Sequence, residues 1–330
     1  MITGLDLKDF RGIKSTTRPI TLEKINILIG RNNSGKTSIL EALNLTPSPL
    51  SLLPLSGYTK LDYTIMPHQG KTASLIYGYA GFATIDYIYS EGTVTIKLEE
   101  NKRFTFEWKD SEKRIHKSYA EPSVFLEGEP AGRIFKSYTS CYYSGWYHRF
   151  LYDKLLQDEN IWRTIEKQRA HNRVVKELIN PSVADTFTEI LIYKDTLHAR
   201  KEFPDGTSSY IRIFELGDGV QRVIIPFLWF EAAKPRIVLL DDLEASMHPS
   251  LIENVLRWLA EGDWQVVIST HSLDVLSALT YVRPPSGQII ILRKSADDML
   301  DYQTLSIDEL ETLIESNTDP RKLADLLALR

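Results

Sequence analysis

The spacing of apolar positions changes several times along this chain, and each change predicts a different element. Near the start, ITGLDLKDF alternates imperfectly through Ile2, Leu5, Leu7 and Phe10, the two-residue period of a half-buried strand. RPITLEKINILIG predicts a short strand and then a buried one. A helix follows from about Lys36 through Leu45, ended by Pro47 and Pro49, and residues 46–72 read as loop. From Ala73 to Trp108 the period returns to two. It runs through Ile85, Tyr87 and Tyr89, then Val94, Ile96 and Leu98, then Phe104, Phe106 and Trp108, with SEG and EENK as turns. This predicts an antiparallel meander.

Residues 109–147 give no clear period. Residues 150–180 read as helix, with Leu151, Leu155, Trp162 and Ile165 on one face and Pro181 at the end. EILIYK and SYIRIFEL predict strands around the turn FPDG. The second half alternates strand and helix: a helix from about Gly219 to Ala233, then RIVLLDDLE, SLIENVLRWLA, WQVVIST, LDVLSALT and GQIIILRK, then two short helices around IDELETLIE and DPRKLADLLAL. Apolar strands separated by helices predict a mostly parallel sheet. The expected fold class is therefore α/β, with a mostly parallel core sheet, an antiparallel β-meander over 73–108 and a helical insertion over 145–182. A C-terminal helical tail would occupy 296–330. There is no repeat or heptad array, and the stretch between Thr37 and Leu216 is too short and too β-rich for a long coiled-coil arm.

Composition narrows the classes. The chain has 330 residues, 43% hydrophobic and 25% charged, which suits one large α/β domain with insertions or two smaller ones. The single cysteine, Cys141, excludes a disulfide framework, a zinc ribbon and a zinc hook, and suits a reducing, cytoplasmic setting. A net charge of −5 argues against a uniformly basic nucleic-acid coat but leaves room for a local basic groove. The first apolar segment follows Asp6, Lys8, Asp9 and Arg11, unlike a signal peptide, and runs such as VIIPFLWF are too short for a membrane span.

Four motifs carry chemistry. Gly30-Arg31-Asn32-Asn33-Ser34-Gly35-Lys36-Thr37, followed by Ser38, fits G-x-x-x-x-G-K-[ST] between a predicted strand and a predicted helix. Its glycines let backbone N–H groups turn inward, the helix N-terminus adds partial positive charge, Lys36 would bridge β- and γ-phosphates, and the Thr37 hydroxyl would hold Mg²⁺. IVLLDDLE ends a buried strand in acids; Asp241 would hold Mg²⁺, and Asp242 would stand where a base polarises the attacking water. ELGDGVQR exposes backbone N–H groups near Gly217 and Gly219 at a helix start, although by itself it reads better as a glycine turn capping a helix. VVISTHS puts His271 just past a buried strand, within reach of a γ-phosphate; a lone histidine there is more often structural.

In this order and spacing the four motifs resemble the ABC-type ATPase heads of the SMC, RecF and OLD group. LKDFRGIKS ahead of INILIGRNNSGKTSILEAL is similar to the opening of those proteins, LGDGVQR to their signature, LLDDLEASMHPSL to their Walker B and D-loop, and STHS to their switch-histidine loop. The resemblance covers roughly 1–50 and 210–295, which would form the nucleotide-binding core of a single P-loop head spanning 1–330. It implies ATP and Mg²⁺ as cofactors and a homodimer sandwiching two ATP molecules head to tail. Arg11 would contact phosphate, and Asn32, Asn33, Ser34, Gly35 and Ser38 would complete the phosphate loop. Gly217, Asp218 and Gly219 would be presented to the partner's nucleotide, with His248 at the D-loop and His271 as the switch. The chain departs from the pattern at Asp242 (usually Glu), Leu243 (usually Pro), Met247 (usually Leu) and Gly217 (often Ser), which points to slow hydrolysis. Glu244 stands second to Asp242 as base, and Gln69 is a Q-loop candidate by position only.

The resemblance favours action on DNA in repair, genome maintenance or anti-phage defence. Arg149, Lys154, Arg163, Lys167, Arg169, Arg173 and Lys176, interleaved with Trp146, Tyr147 and Trp162, form a modest basic stretch, diluted by Asp153, Asp158, Glu159, Glu166 and Glu177. A solvated helix face is its simpler reading. The alternative function is a low-turnover ATP switch that scaffolds a separately encoded effector such as a nuclease. About 35 residues follow the last expected strand, too few for the Toprim nuclease of larger OLD proteins.

Overall fold

The computed structural model describes residues 1–110, 115–119 and 138–323. Strands β1 (Ile2–Phe10) and β2 (Ile13–Thr16) form a hairpin, followed by the short β3 (Ile20–Thr21), β4 (Ile25–Gly30) and helix α1 (Lys36–Asn44). After α2 (Lys60–Ile65) come β5 (Phe82–Tyr89), β6 (Gly92–Glu99), β7 (Phe104–Asp110), β8 (Ile115–Tyr119) and β9 (Ser140–Tyr143). Helices α3 (His148–Gln157), α4 (Glu159–Lys167) and α5 (Ala170–Arg173) lead into a wider helical turn over Val174–Ile179. Then come β10 (Phe187–Tyr193), β11 (Thr196–Glu202), β12 (Ser208–Arg212), α6 (Asp218–Ala233), β13 (Ile237–Asp241), α7 (Pro249–Glu261), β14 (Gln265–Ser269), α8 (Leu273–Val282), β15 (Gly287–Lys294), β16 (Met299–Ser306) and α9 (Ile307–Glu315).

Among the described residues thirteen strands make one mixed sheet, in the order β8-β7-β6-β5-β1-β2-β16-β15-β4-β14-β13-β9, with β3 on β1. Strands β15, β4, β14, β13 and β9 are mutually parallel. Their apolar runs lack alternation because both faces are covered: Ile27, Leu28 and Ile29 of β4, and Val238, Leu239 and Leu240 of β13, are all fully buried. Helix α1 packs against β9, β13, β14 and β4. The meander β5–β8 extends this same sheet through β1, pairing Leu5 with Tyr87 and Leu7 with Ile85. Its period of two holds because alternate residues, Ile85, Tyr87, Val94, Ile96 and Phe106 among them, face the core.

Several expectations change. The loop 46–72 contains α2, whose six residues are too few to show a period; Thr59 starts it by accepting from the Asp62 N–H at 3.0 Å. The helix expected over 150–180 is broken twice. Asp158 caps a new helix by accepting from the Asn160 N–H at 2.9 Å, and Arg169 takes a left-handed φ of 56°. Leu151, Leu155 and Ile165 are buried as expected, while Trp162 is only partly so. The two strands expected around FPDG are three, forming a separate antiparallel sheet β10-β11-β12. The missed turn uses Lys194 and Asp195, both left-handed (φ 48° and 59°), in a tight two-residue hairpin. Strand β16 was also unexpected: among its inward positions only Leu300 and Tyr302 are strongly buried. Beyond it, DPRKLADLLAL begins with a single turn over Pro320–Lys322, and residues 324–330 lie outside the described residues.

Helix α2 carries an unusual interior group. Lys60 is almost wholly buried, and its Nζ donates to the Thr46 carbonyl. Burial pushes its pKa down to about 7, against the pull of the nearby Cys141 thiol, which burial pushes up to about 12. A lysine whose folded pKa is depressed binds fewer protons folded than unfolded between pH 7 and its ordinary value near 10, so it makes stability rise with pH across that window. The wild-type chain should therefore gain about 1 kcal/mol per pH unit between pH 7 and 9 relative to Lys60→Met. Urea unfolding at both pH values measures it, and identical pH dependence in the two chains would refute it.

Candidate nucleotide site

Strand β4 delivers the chain to Gly30, and α1 begins at Lys36. Turning between them within five residues needs left-handed backbone at Asn33 (φ 62°) and Gly35 (φ 101°). A Cβ on Gly35 would lie 3.2 Å from Ile13 Cδ1, so the loop rests against the first hairpin. Among the described residues no side chain caps α1 and no acid occupies its first turn. The first amides of that helix, with its partial positive charge, are thus left to an anion. Lys36 Nζ folds back to donate to the Gly30 and Arg31 carbonyls at 3.0 and 3.1 Å. Burial lowers its pKa, opposed by Asp242, Asp241 and Glu244.

Asp241, the last residue of β13, meets the loop here. The Thr37 hydroxyl donates to Asp241 Oδ2 at 2.9 Å, the Tyr142 hydroxyl to the same oxygen at 3.3 Å, and the Ser269 hydroxyl to Oδ1. Burial pushes the Asp241 carboxyl up, while the bonds from Ser269, Thr37 and Tyr142 pull it back toward ionisation. The Asp242 N–H donates to Ser269 Oγ at 3.1 Å.

Arg11, Asn32, Asn33, Ser34, Gly35, Lys36, Thr37, Ser38, Asp241, Asp242 and His271 line one cavity of about 390 Å³. Gly30 does not line it, but its carbonyl holds Lys36 Nζ. Arg11 is partly committed: its Nε lies 2.7 Å from Oε2 of the buried Glu41, and its Nη1 donates to the Ser74 carbonyl at 3.0 Å. His68 Nε2 sits 2.8 Å from the other Glu41 oxygen. Of the two candidate bases, Asp242 is exposed and lines the cavity, whereas Glu244 Oε1 is occupied by the His271 N–H at 2.9 Å.

The other expected residues lie outside that cavity. Gly217, Asp218 and Gly219 begin α6, and a Cβ on Gly219 would fall 2.3 Å from the Ser246 carbonyl. Asp218 accepts from Arg222 Nε at 2.9 Å. His248 caps α7 through Nδ1, which accepts from the Ser250 N–H at 3.3 Å. Gln69 is exposed on a turn, φ 57°. In the basic stretch, Arg149 pairs with Asp153 at 3.1 Å, Arg163 with Glu159 at 3.3 Å and Arg173 with Glu231 at 2.9 Å. Lys154 Nζ lies over the Tyr58 ring, Tyr147 is buried and stacked on Tyr63, and Trp162 donates to Glu166. Trp146, Lys167, Arg169 and Lys176 are exposed. A larger cavity, about 500 Å³, lies away from the phosphate loop; Glu231 there neutralises Arg173 and Lys234. Glu41, His68, Tyr142 and Arg321 are site neighbours that no motif signals, although Ser269 could be found as the last residue of the strand next to the acid strand.

Strand, glycine loop and helix, joined to an acid on the parallel strand β13 that lies beyond β14, define a P-loop ATPase head of ABC type. A family model described as "AAA domain, putative AbiEii toxin, Type IV TA system" matches residues 25–278, and the chain belongs to that family. The fold is that of SMC heads. The Smc head bound to the C-winged helix domain of ScpA is similar at 15% identity, over 94% of this chain and 99% of that one, with a TM-score of 0.63. The Smc head with an extended coiled coil bound to the C-terminal domain of ScpA, from Pyrococcus furiosus, follows at 13% identity, 96% and 99% coverage and 0.59. The SMC head domain from Thermotoga maritima gives 16% identity, 92% and 99% coverage and 0.52. No curated protein matches. Among the described residues no helix is long and apolar enough to cross a membrane.

The Gly219 contact makes a test of the loop beside the acid pair. Gly219→Ala sets a methyl against the Ser246 carbonyl and should cost about 1–3 kcal/mol in urea unfolding. An unchanged midpoint would mean that the Glu244–His248 loop yields freely.

Proposed function

We propose that this chain is an ATP-driven switch that binds ATP with Mg²⁺, closes into a head-to-tail homodimer around two nucleotides, hydrolyses them slowly and acts on DNA in repair, genome maintenance or anti-phage defence. The observation that carries the nucleotide reading is the meeting of the Thr37 hydroxyl and the Asp241 carboxylate at 2.9 Å beside an uncapped helix N-terminus. The donor set fits the cation. Among the described residues no three His, Cys, Asp or Glu gather into a metal site, and Mg²⁺ typically takes one or two protein oxygens, with water and substrate phosphate supplying the rest. When bound, the ion neutralises phosphate charge and polarises the transferred group. Lys36 and the loop amides hold phosphate oxygens, Asp242 orients water, and His271 contacts the γ-phosphate side. Gly217, Asp218 and Gly219 lie away from their own cavity, and Gly219 packs on the loop that follows Asp242, which favours the use of this helix start across a dimer.

A second reading has its own support. Arg149, Arg163 and Arg173 are each satisfied by an acid, which reduces the positive charge those helices offer to phosphate. The family's description also names a toxin system. On that reading the dimer scaffolds a separately encoded effector, such as a nuclease, with little turnover.

One experiment separates the two. ATP turnover and mass in solution are measured for wild type and Asp242→Asn, with and without duplex DNA. The DNA-acting reading expects ATP to double the mass from 37.8 kDa, DNA to raise turnover, and Asp242→Asn to hold the dimer while turnover falls about 100-fold. A dimer with negligible, DNA-blind turnover transfers the case to the effector reading. No mass change with ATP removes the head-to-tail switch.

A further inference from the structure

His271 lies between the end of β14 at Ser269 and the cap of α8 at Ser272, so neither a sheet ladder nor a helix fixes its peptide. Two side chains hold it instead, from opposite sides. Its N–H donates to Glu244 Oε1 at 2.9 Å, and its carbonyl accepts from Arg321 Nη1 at 2.7 Å. Glu244 comes from the loop that carries Asp242, whereas Arg321 comes from the tail, 50 residues further along the chain.

The tail end of this clamp is built. Asp319 takes Arg321 Nε at 3.0 Å and Nη2 at 2.8 Å, and also accepts the Arg321 N–H at 3.0 Å, closing the turn Pro320–Lys322. Two arms of the guanidinium fork are thereby fixed on a carboxylate, and the third is aimed at the His271 carbonyl. A planar fork held at two points loses little further freedom in making its third bond. Pro320 is buried, and Leu323 packs against the core. The turn is therefore anchored on both sides of Arg321.

We propose that Arg321 is a positioning residue for His271, gripping its peptide against Glu244 so that the imidazole is presented to the phosphate cavity, and so tying the C-terminal tail to turnover. The inference rests on the nucleotide reading of that cavity. Arg321 does not line the cavity, and its effect passes through the His271 carbonyl alone.

The test uses the full chain with Arg321→Ala and Arg321→Lys, and two readouts. The first is backbone hydrogen exchange at the His271 amide without nucleotide. Arg321→Ala should speed it about tenfold while amides of β13 and α1 keep their protection. The second is ATP turnover. Arg321→Ala should lower kcat about tenfold with KM within about twofold, because ground-state phosphate contacts are untouched and only alignment is lost. Arg321→Lys keeps a donor without the fork and should recover part of both. Unchanged exchange at His271 in Arg321→Ala overturns the proposal, as does an unchanged kcat in a wild type that turns over ATP. If exchange responds but the wild type hydrolyses no ATP, the clamp stands and the ATPase reading of the cavity fails instead.

Discussion

The site depends on keeping one buried carboxylate charged. Left alone at the end of β13, Asp241 would be pushed toward its neutral form by burial and by the neighbouring Asp242. Hydroxyls from three separate elements oppose this: Thr37 from α1, Ser269 from β14 and Tyr142 from β9. Their hydrogen bonds favour the charged form, although burial still leaves the carboxyl above its ordinary range. That convergence follows from strand register. Asp241 pairs with Ser269 across β13–β14, and Ser269 pairs with Leu28 across β14–β4. The loop leaving β4 and the acid ending β13 therefore emerge at the same edge of the sheet, one strand apart. The parallel order, and the helices that bury both its faces, serve that juxtaposition.

What could be read ahead of the structure tracks how local its physical cause is. The phosphate loop, the acid pair and the buried strands were legible because a glycine turn, a helix start or an apolar run writes itself into adjacent residues. The hairpin turn at Lys194 and Asp195 was missed because two ordinary residues adopt left-handed backbone there without Gly or Asn to announce it. Strand β16 was missed because its pattern rests on Leu300 and Tyr302. The partners of the site were invisible for a different reason. Glu41, His68, Tyr142 and Arg321 reach it from distant segments, and a lone residue carries no mark of the fold that brings it there. In the basic stretch, whose simpler reading was a solvated helix face, cross-helix and i,i+4 acids pair with Arg149, Arg163 and Arg173.

The loop after the acid pair joins the parts of the head. Within five residues it takes left-handed backbone twice, at Asp242 (φ 52°) and Ser246 (φ 65°). Such conformations persist where surrounding contacts over-determine them. Three contacts do so here: the Asp242 N–H is held by Ser269, Glu244 holds the His271 N–H, and the Ser246 carbonyl lies against Gly219. One short segment thus touches the end of β14, the histidine loop and the glycine start of α6. A nucleotide that bears on Asp242 or His271 bears on this segment too, and through Gly219 on the surface that a second subunit would meet. A ligand shifts an equilibrium only by its differential contacts with the two states. The γ-phosphate is the part of ATP that ADP lacks, and the groups nearest where it would lie, Asp242 and His271, are those coupled to this strained loop. On the proposed nucleotide reading, this loop would carry the difference between ATP and ADP to Gly219 without any large movement of the sheet.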